Sequence, residues 1–339
     1  MSKNIKNSPH VVVLGAGAIG CFVGGAWQDA GVKVTYIGRE RIAGEVREYG
    51  LVLSDNRGYS ASLPAEDISY STDPAVLKEA DIIALAVKNT GTEEAVKEIA
   101  AYTGDDVPVI SLQNGVSNAE RLSGYLPGRE ILAGMVPYNI AALGEGRWHK
   151  GSPGNVIIKK SAASQEIAEI IADHPIKMLL EEDMEPIVWG KLLLNLNNAV
   201  NALSGRSLLE ELKQRGYRKV IAGTIMETLA VLDAKGIIPA KVGNLSPSDM
   251  AKFFDVPDEI YHPLVEGKID PKATSSMADD FAAGRPTEID YLNGEVVKAA
   301  ELLGIATPVN KKIIQLVKEA EQGGRRNWSP EDLVQEVLG

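Results

Sequence analysis

The chain has 339 residues, 45% apolar and 24% charged, the profile of an ordinary soluble globular protein long enough for about two domains. Asp and Glu (46) outnumber Lys and Arg (35), and the resulting charge of −11 argues against wholesale binding to nucleic acid or to an anionic membrane surface. The single cysteine, Cys21, excludes an intramolecular disulfide, and the four histidines (His10, His149, His174, His262) are too scattered to suggest a metal site.

The start, MSKNIKNSPH, is polar and lacks the apolar core of a leader peptide. No run reaches the ~18 apolar residues of a membrane helix. A cytoplasmic protein is the expectation.

Residues 11–14 form a compact apolar run that predicts a strand, 18–30 a helix and 32–37 a second strand. Further strands are predicted at 81–87, 107–112, 130–135 and 155–158, and a weaker one at 51–53. Apolar strands separated by helices predict an α/β, doubly wound, Rossmann-type sheet covered on both faces. From about Glu182 helical periodicity takes over, at 187–203, 208–235, 290–303 and 311–322, punctuated by Gly236, Pro239 and Gly304. This predicts a nucleotide-binding domain over 1–181 and an all-helical domain over 182–339. Residues 325–339 read as a short, loosely attached tail.

The first chemical motif is Gly15-Ala16-Gly17-Ala18-Ile19-Gly20. A GxGxxG pattern alone is weak, but this one directly follows the first strand and opens a helix, as a dinucleotide fingerprint requires. Gly15 allows the tight turn, Gly17 the approach of a pyrophosphate, and Gly20 close helix–strand packing. An NAD site usually places an acid at the tip of the second strand. Here Arg39 stands there, a planar donor fork suited to a 2′-phosphate, which points to NADP(H). Glu40 is the nearest rival and Arg41 a weaker second cation. Lys88 follows the strand at 81–87, and Asn114 ends the strand at 107–112 in a Gln-Asn-Gly turn, so both fall at carboxyl ends of strands, where ligands bind.

In the helical half, Lys191 and Asn195 are four residues apart and share a face, and Asn198 is seven residues from Lys191. A lysine with amides on a Leu-rich helix can serve a carbonyl substrate, although periodicity alone fits a snorkelling lysine at a domain seam better. Farther on lie Ser275-Ser276-Met277-Ala278-Asp279-Asp280 and Gly284-Arg285-Pro286-Thr287-Glu288. Thr287 reads as a helix cap with acids in the first turn, and Asp279 or Asp280 as partner to Arg285.

Together, GAGAIG, the arginine after strand two, AVK, QNG, WGKLLLN, SSMADD and GRPTEIDYLNG resemble the ketopantoate reductases, from about Val11 to about Leu316. The resemblance implies NADPH-dependent reduction of 2-dehydropantoate to pantoate, in pantothenate and coenzyme A biosynthesis. It implies Lys191 as proton donor and Glu288 as the residue that orients the substrate. Asn195 and Ser276 would bind a small anionic 2-oxo acid, Asn114 would contact cofactor and substrate, and Arg39 and Lys88 would hold the 2′-phosphate. Family members occur as monomers and as homodimers. The family's second asparagine, eight residues after the lysine, is Ala199 here, which leaves Asn197, Asn198 and Asn201 as rivals for its role. A paralogous reductase of another 2-oxo acid or ketone, and a non-catalytic NADP(H)-binding sensor, are the alternative readings.

Overall fold

The computed structural model describes residues 8–241 and 245–339. The chain divides into two compact units, Met1–Met184 and Glu185–Gly339.

The strands of the first unit, in order, are β1 (His10–Leu14), β2 (Lys33–Ile37), β3 (Leu51–Asp55), β4 (Ser60–Leu63), β5 (Ser69–Ser71) and β6 (Ile82–Leu85). They are followed by β7 (Val109–Ser111), β8 (Ile131–Met135), β9 (Ile140–Gly144), β10 (Arg147–Lys150), β11 (Val156–Lys159) and β12 (Met178–Glu181). Eight form one sheet in the order β12-β11-β8-β7-β6-β1-β2-β5. From β5 to β8 every pairing is parallel, and β11 joins β8 antiparallel. The chain runs outward from β1 through β2 to β5, then returns to the other side of β1 at β6. This reversal is the topological switch point of a doubly wound sheet, where ligands bind.

Burial explains why β1 reads as an unbroken apolar run. Val11 and Val13 enter the core holding Phe22 and Trp27, whereas Val12 and Leu14 enter the core holding Leu85, Ile99 and Leu122. Both faces are covered, so alternation disappears.

The expected strand at 51–53 exists as β3 but lies in a second sheet, β4-β3-β10-β9, that the sequence reading did not foresee. There β3 pairs with β10 in parallel across the chain, Val52 opposite Arg147.

The second unit is helical and built around the long helix Arg215–Lys235, which buries Tyr217, Val220, Ile221, Ile225, Val231 and Leu232. Two predicted helices are interrupted. The segment 187–203 divides into Glu185–Asn195 and Asn197–Ser204 at Leu196, which keeps helical angles (φ −59°, ψ −27°). The segment 208–235 divides at Gln214, whose backbone is extended, after the short helix Leu208–Leu212. That short helix is closed by a reciprocal cap between Ser207 and Glu210.

The loosely attached tail is a correction. Residues Pro330–Leu338 form a helix that buries Leu333 and packs on Arg215–Lys235. Gly216 is needed there, because a Cβ would lie 2.6 Å from that of Pro330. The Tyr217 hydroxyl donates to the carbonyl of Trp328 at 2.6 Å and locks the approach.

Candidate active site

On the nucleotide side, β1 ends in a turn held by β2: the amides of Gly15 and Ala16 both donate to the carbonyl of Ile37, at 2.9 and 2.8 Å. Gly15 has φ +102°, and a Cβ there would sit 2.4 Å from the amide nitrogen of Val87 just beyond β6. A side chain at Gly20 would meet the carbonyl of Gly15 at 2.5 Å. Around Gly17 nothing lies within 4 Å of an added Cβ. The helix Ala18–Asp29 starts from Gly17 without a side-chain cap and without an acid in its first turn. Ala18 and Ile19 are partly buried in that first turn. Open space before an uncapped helix N-terminus fits a dinucleotide pyrophosphate.

This geometry separates two glycines of one motif. Gly17→Ala is expected to leave the melting temperature within about 2 °C, since its backbone (φ −95°) suits alanine. It should nevertheless weaken dinucleotide binding measured by titration calorimetry. Gly20→Ala should lower the melting temperature outright; equal behaviour of the two variants would refute the assignment.

Arg39 caps the helix Glu40–Tyr49 from an exposed position and makes no ion pair among the described residues. Its rivals are engaged: Glu40 pairs with Arg47, and Arg41 with Glu45 at 2.6 Å. Lys88 is exposed just after β6. Asn114 is partly buried after β7, and its carbonyl accepts from the side-chain amides of Asn89 and Asn118, both at 2.7 Å. Gln113 ties the same turn back to β6 by donating to the carbonyl of Val87 and the hydroxyl of Thr92. This amide lattice was not legible in sequence, because its members come from separate loops. Nor was Tyr70, whose hydroxyl reaches from β5 to the carbonyl of Ala16 at 3.2 Å.

In the helical unit, Lys191 and Asn195 lie on the helix Glu185–Asn195. Asn195 is buried and Lys191 is partly buried. Burial lowers the Lys191 ammonium to about 8, because removing it from water disfavours its charge. The three rival asparagines separate. Asn201 is fully buried, donating to Glu211 at 2.7 Å and to the carbonyl of Arg206 while accepting from the amide of Ser275 at 2.9 Å. Asn197 stands near enough to Glu211 to favour the charged form of its carboxyl. Asn198 alone of the three turns to a candidate substrate residue, donating to the hydroxyl of Ser276 at 3.4 Å. Ser276 is exposed and opens the helix Ser276–Ala282, capped by Ser275.

Glu288 is buried in a separate segment. The helix expected to start at Thr287 is one 3₁₀ turn, Ile289–Tyr291, before the helix Asn293–Leu303. Thr287 presents its amide to the Glu321 carboxylate at 2.8 Å, which fixes the residue next to Glu288. Of the two acids offered to Arg285, Asp280 pairs with it at 3.0 Å. Among the described residues there is no cluster of His, Cys, Asp or Glu able to hold a metal ion, and no helix long and apolar enough to cross a membrane.

A glycine turn at the switch point of a doubly wound sheet, followed by a helical unit, defines a Rossmann-type architecture of the kind that binds dinucleotides. Residues 11–162 match the family model described as ketopantoate reductase PanE/ApbA, and residues 183–321 match its C-terminal counterpart. The chain belongs to the ketopantoate reductase family. It is 27% identical over 326 residues to a 2-dehydropantoate 2-reductase of Archaeoglobus fulgidus, covering 93% of this chain and 98% of that one. A crystal structure of a PanE/ApbA family ketopantoate reductase from Ralstonia eutropha JMP134 superposes with a TM-score of 0.78 at 28% identity, over 93% and 99% of the two chains. The fold is shared with D-mandelate dehydrogenase, solved with NADH and anilino(oxo)acetate (TM-score 0.74, 21% identity, 93% and 99% covered).

Proposed function

We propose that this protein reduces 2-dehydropantoate to pantoate with NADPH. The reading is carried by Lys191, a lysine with a lowered proton affinity on the helix that also presents Asn195, in a chain related over almost its whole length to 2-dehydropantoate 2-reductases. The loop Gly15–Gly20 and the helix behind it would hold the pyrophosphate, and Arg39 with Lys88 the 2′-phosphate. NADPH supplies a hydride when bound. The Lys191 ammonium donates the proton to the ketone oxygen and stabilises the charge that develops there. Asn195 and Asn198 orient the substrate's oxygens, Ser276 binds its carboxylate, and Glu288 fixes its orientation. Asn114 lines both ligands.

A second reading keeps this chemistry and changes the 2-oxo acid. Position 199, where an amide is expected, holds a fully buried alanine, so that contact is missing or supplied by Asn198. NADPH oxidation followed at 340 nm with 2-dehydropantoate and a panel of other 2-oxo acids decides between them. Highest kcat/KM with 2-dehydropantoate supports the first reading, and a better substrate elsewhere in the panel the second. Tight NADPH binding with no turnover of any member would leave only a nucleotide sensor.

A further inference from the structure

Among the described residues of the helical unit, Glu211 is a fully buried acid that bonds one of the rival asparagines and takes no part in the chemistry above. It belongs to the short helix Leu208–Leu212, whose neighbouring Glu210 is the exposed capping residue. Among the described residues no cation pairs with its carboxyl. Arg206 points its guanidinium at the Tyr217 hydroxyl (3.3 Å). Arg218 is held by Asp258 and by the carbonyls of Leu212, Phe254 and Val256. Burying a carboxylate without a cation is costly, so such an acid persists only where it has structural or functional work. Its hydrogen-bond partner is an amide, the side chain of Asn201 at 2.7 Å.

From Asn201 the contacts run on. Its side-chain oxygen takes the amide of Ser275, and the Ser275 hydroxyl donates to the carbonyl of Asn198 at 3.1 Å. Asn198 then meets the hydroxyl of Ser276. We propose that Glu211 is a positioning residue: its buried carboxyl holds Asn201, and Asn201 fixes the Ser275–Ser276 turn that sets Ser276 against Asn198. The inference rests on the assignment of Asn198 and Ser276 to substrate binding.

The proton balance of the cluster agrees. Glu211 Oε1 and Asn197 Oδ1 are buried oxygens with no hydrogen-bond partner among the described residues. A carboxylic acid brings one donor to such a cluster and a carboxylate none. Burial pushes the Glu211 carboxyl up to about 8, so the neutral acid prevails at neutral pH. The positioning is then done by an uncharged network and adds no negative charge near an anionic substrate.

The test uses the full-length enzyme with NADPH and 2-dehydropantoate. Glu211→Ala should raise KM for the 2-oxo acid about ten-fold or more, with kcat reduced less than about three-fold. NADPH affinity should stay within about two-fold, since the residue touches only the amide network. Glu211→Gln, which keeps an acceptor and brings donors, should restore KM to within about three-fold of wild type. An unchanged KM in folded Glu211→Ala overturns the proposal, as does a loss shared equally by KM, kcat and NADPH affinity that Gln fails to restore. Where Glu211→Ala does not fold, Ser275→Ala takes its place: it cuts the same relay at the hydroxyl, and an unchanged KM there is equally fatal. If the wild type reduces no 2-oxo acid, the function reading fails by itself. Side-chain amide resonances of ¹⁵N-asparagine-labelled protein then decide the relay, because Glu211→Gln must shift that of Asn201 and Ser275→Ala that of Asn198; unshifted resonances refute it.

Discussion

Lys191→Ala is expected to cost ~10²–10⁴-fold in kcat for reduction, the range of a lost general acid, while NADPH binds as before. The proton donor is removed and the developing oxyanion loses its cation, but no candidate nucleotide contact changes. Turnover near the wild-type level would take Lys191 out of its role. The same group sets the pH dependence. Its ammonium form is the donor, and burial lowers it to about 8. Reduction should therefore be level below about pH 8 and fall roughly ten-fold per unit above it. Oxidation of the 2-hydroxy acid needs the free amine and should rise with pH to a plateau above the same value. A kcat/KM profile between pH 6 and 10 that is flat in both directions contradicts the assignment.

Arg39→Ala is expected to weaken NADPH by ~1.5–3 kcal/mol, the value of a hydrogen bond to a charged group, or ~10–150-fold in Kd. NADH has no 2′-phosphate and should lose little. The discrimination follows from what surrounds Arg39: Glu40, which would otherwise accept a ribose hydroxyl, pairs with Arg47, and Arg41 pairs with Glu45. Equal weakening of both dinucleotides would place Arg39 outside the site. Glu40→Gln serves as a control, with NADPH preference retained.

The doubly wound sheet was legible because its central strands β1, β2, β6 and β7 are buried on both faces and stand out as apolar runs, while β8 and β11, which alternate buried and half-buried residues, are apolar enough to be read as well. The small sheet was not. Ser60–Leu63 of the small sheet is short, polar and at most half-buried, as is Ser69–Ser71 at the edge of the large one, and both are strands because of what they lie beside. The β9–β10 hairpin did carry a signal, the Gly-Glu-Gly run at 144–146, where Glu145 (φ 55°) and Gly146 (φ 68°) make the left-handed turn a tight hairpin needs. The C-terminal helix was announced as well, by Ser329 as cap and Pro330 in its first turn. The nucleotide motif was readable from its context alone. The choice among Asn197, Asn198 and Asn201 was not, since all three lie within five positions of one helical stretch and only packing shows that Asn201 is committed to Glu211 and Ser275. Glu211 itself was invisible, because a glutamate beside a capping glutamate reads as solvated surface.

The parallel pairing of β3 with β10 bears on how the polypeptide leaves the ribosome. Val52 must wait for Arg147, 95 residues later, before its edge is covered. At ~5–20 residues per second, that is roughly 5–20 s in which the β3–β4 hairpin has emerged with one backbone edge still open. Leu51 and Leu53 on that strand end fully buried, so the interval exposes apolar side chains as well as backbone. The small sheet thus leaves an apolar strand edge open on the nascent chain until β10 has been made.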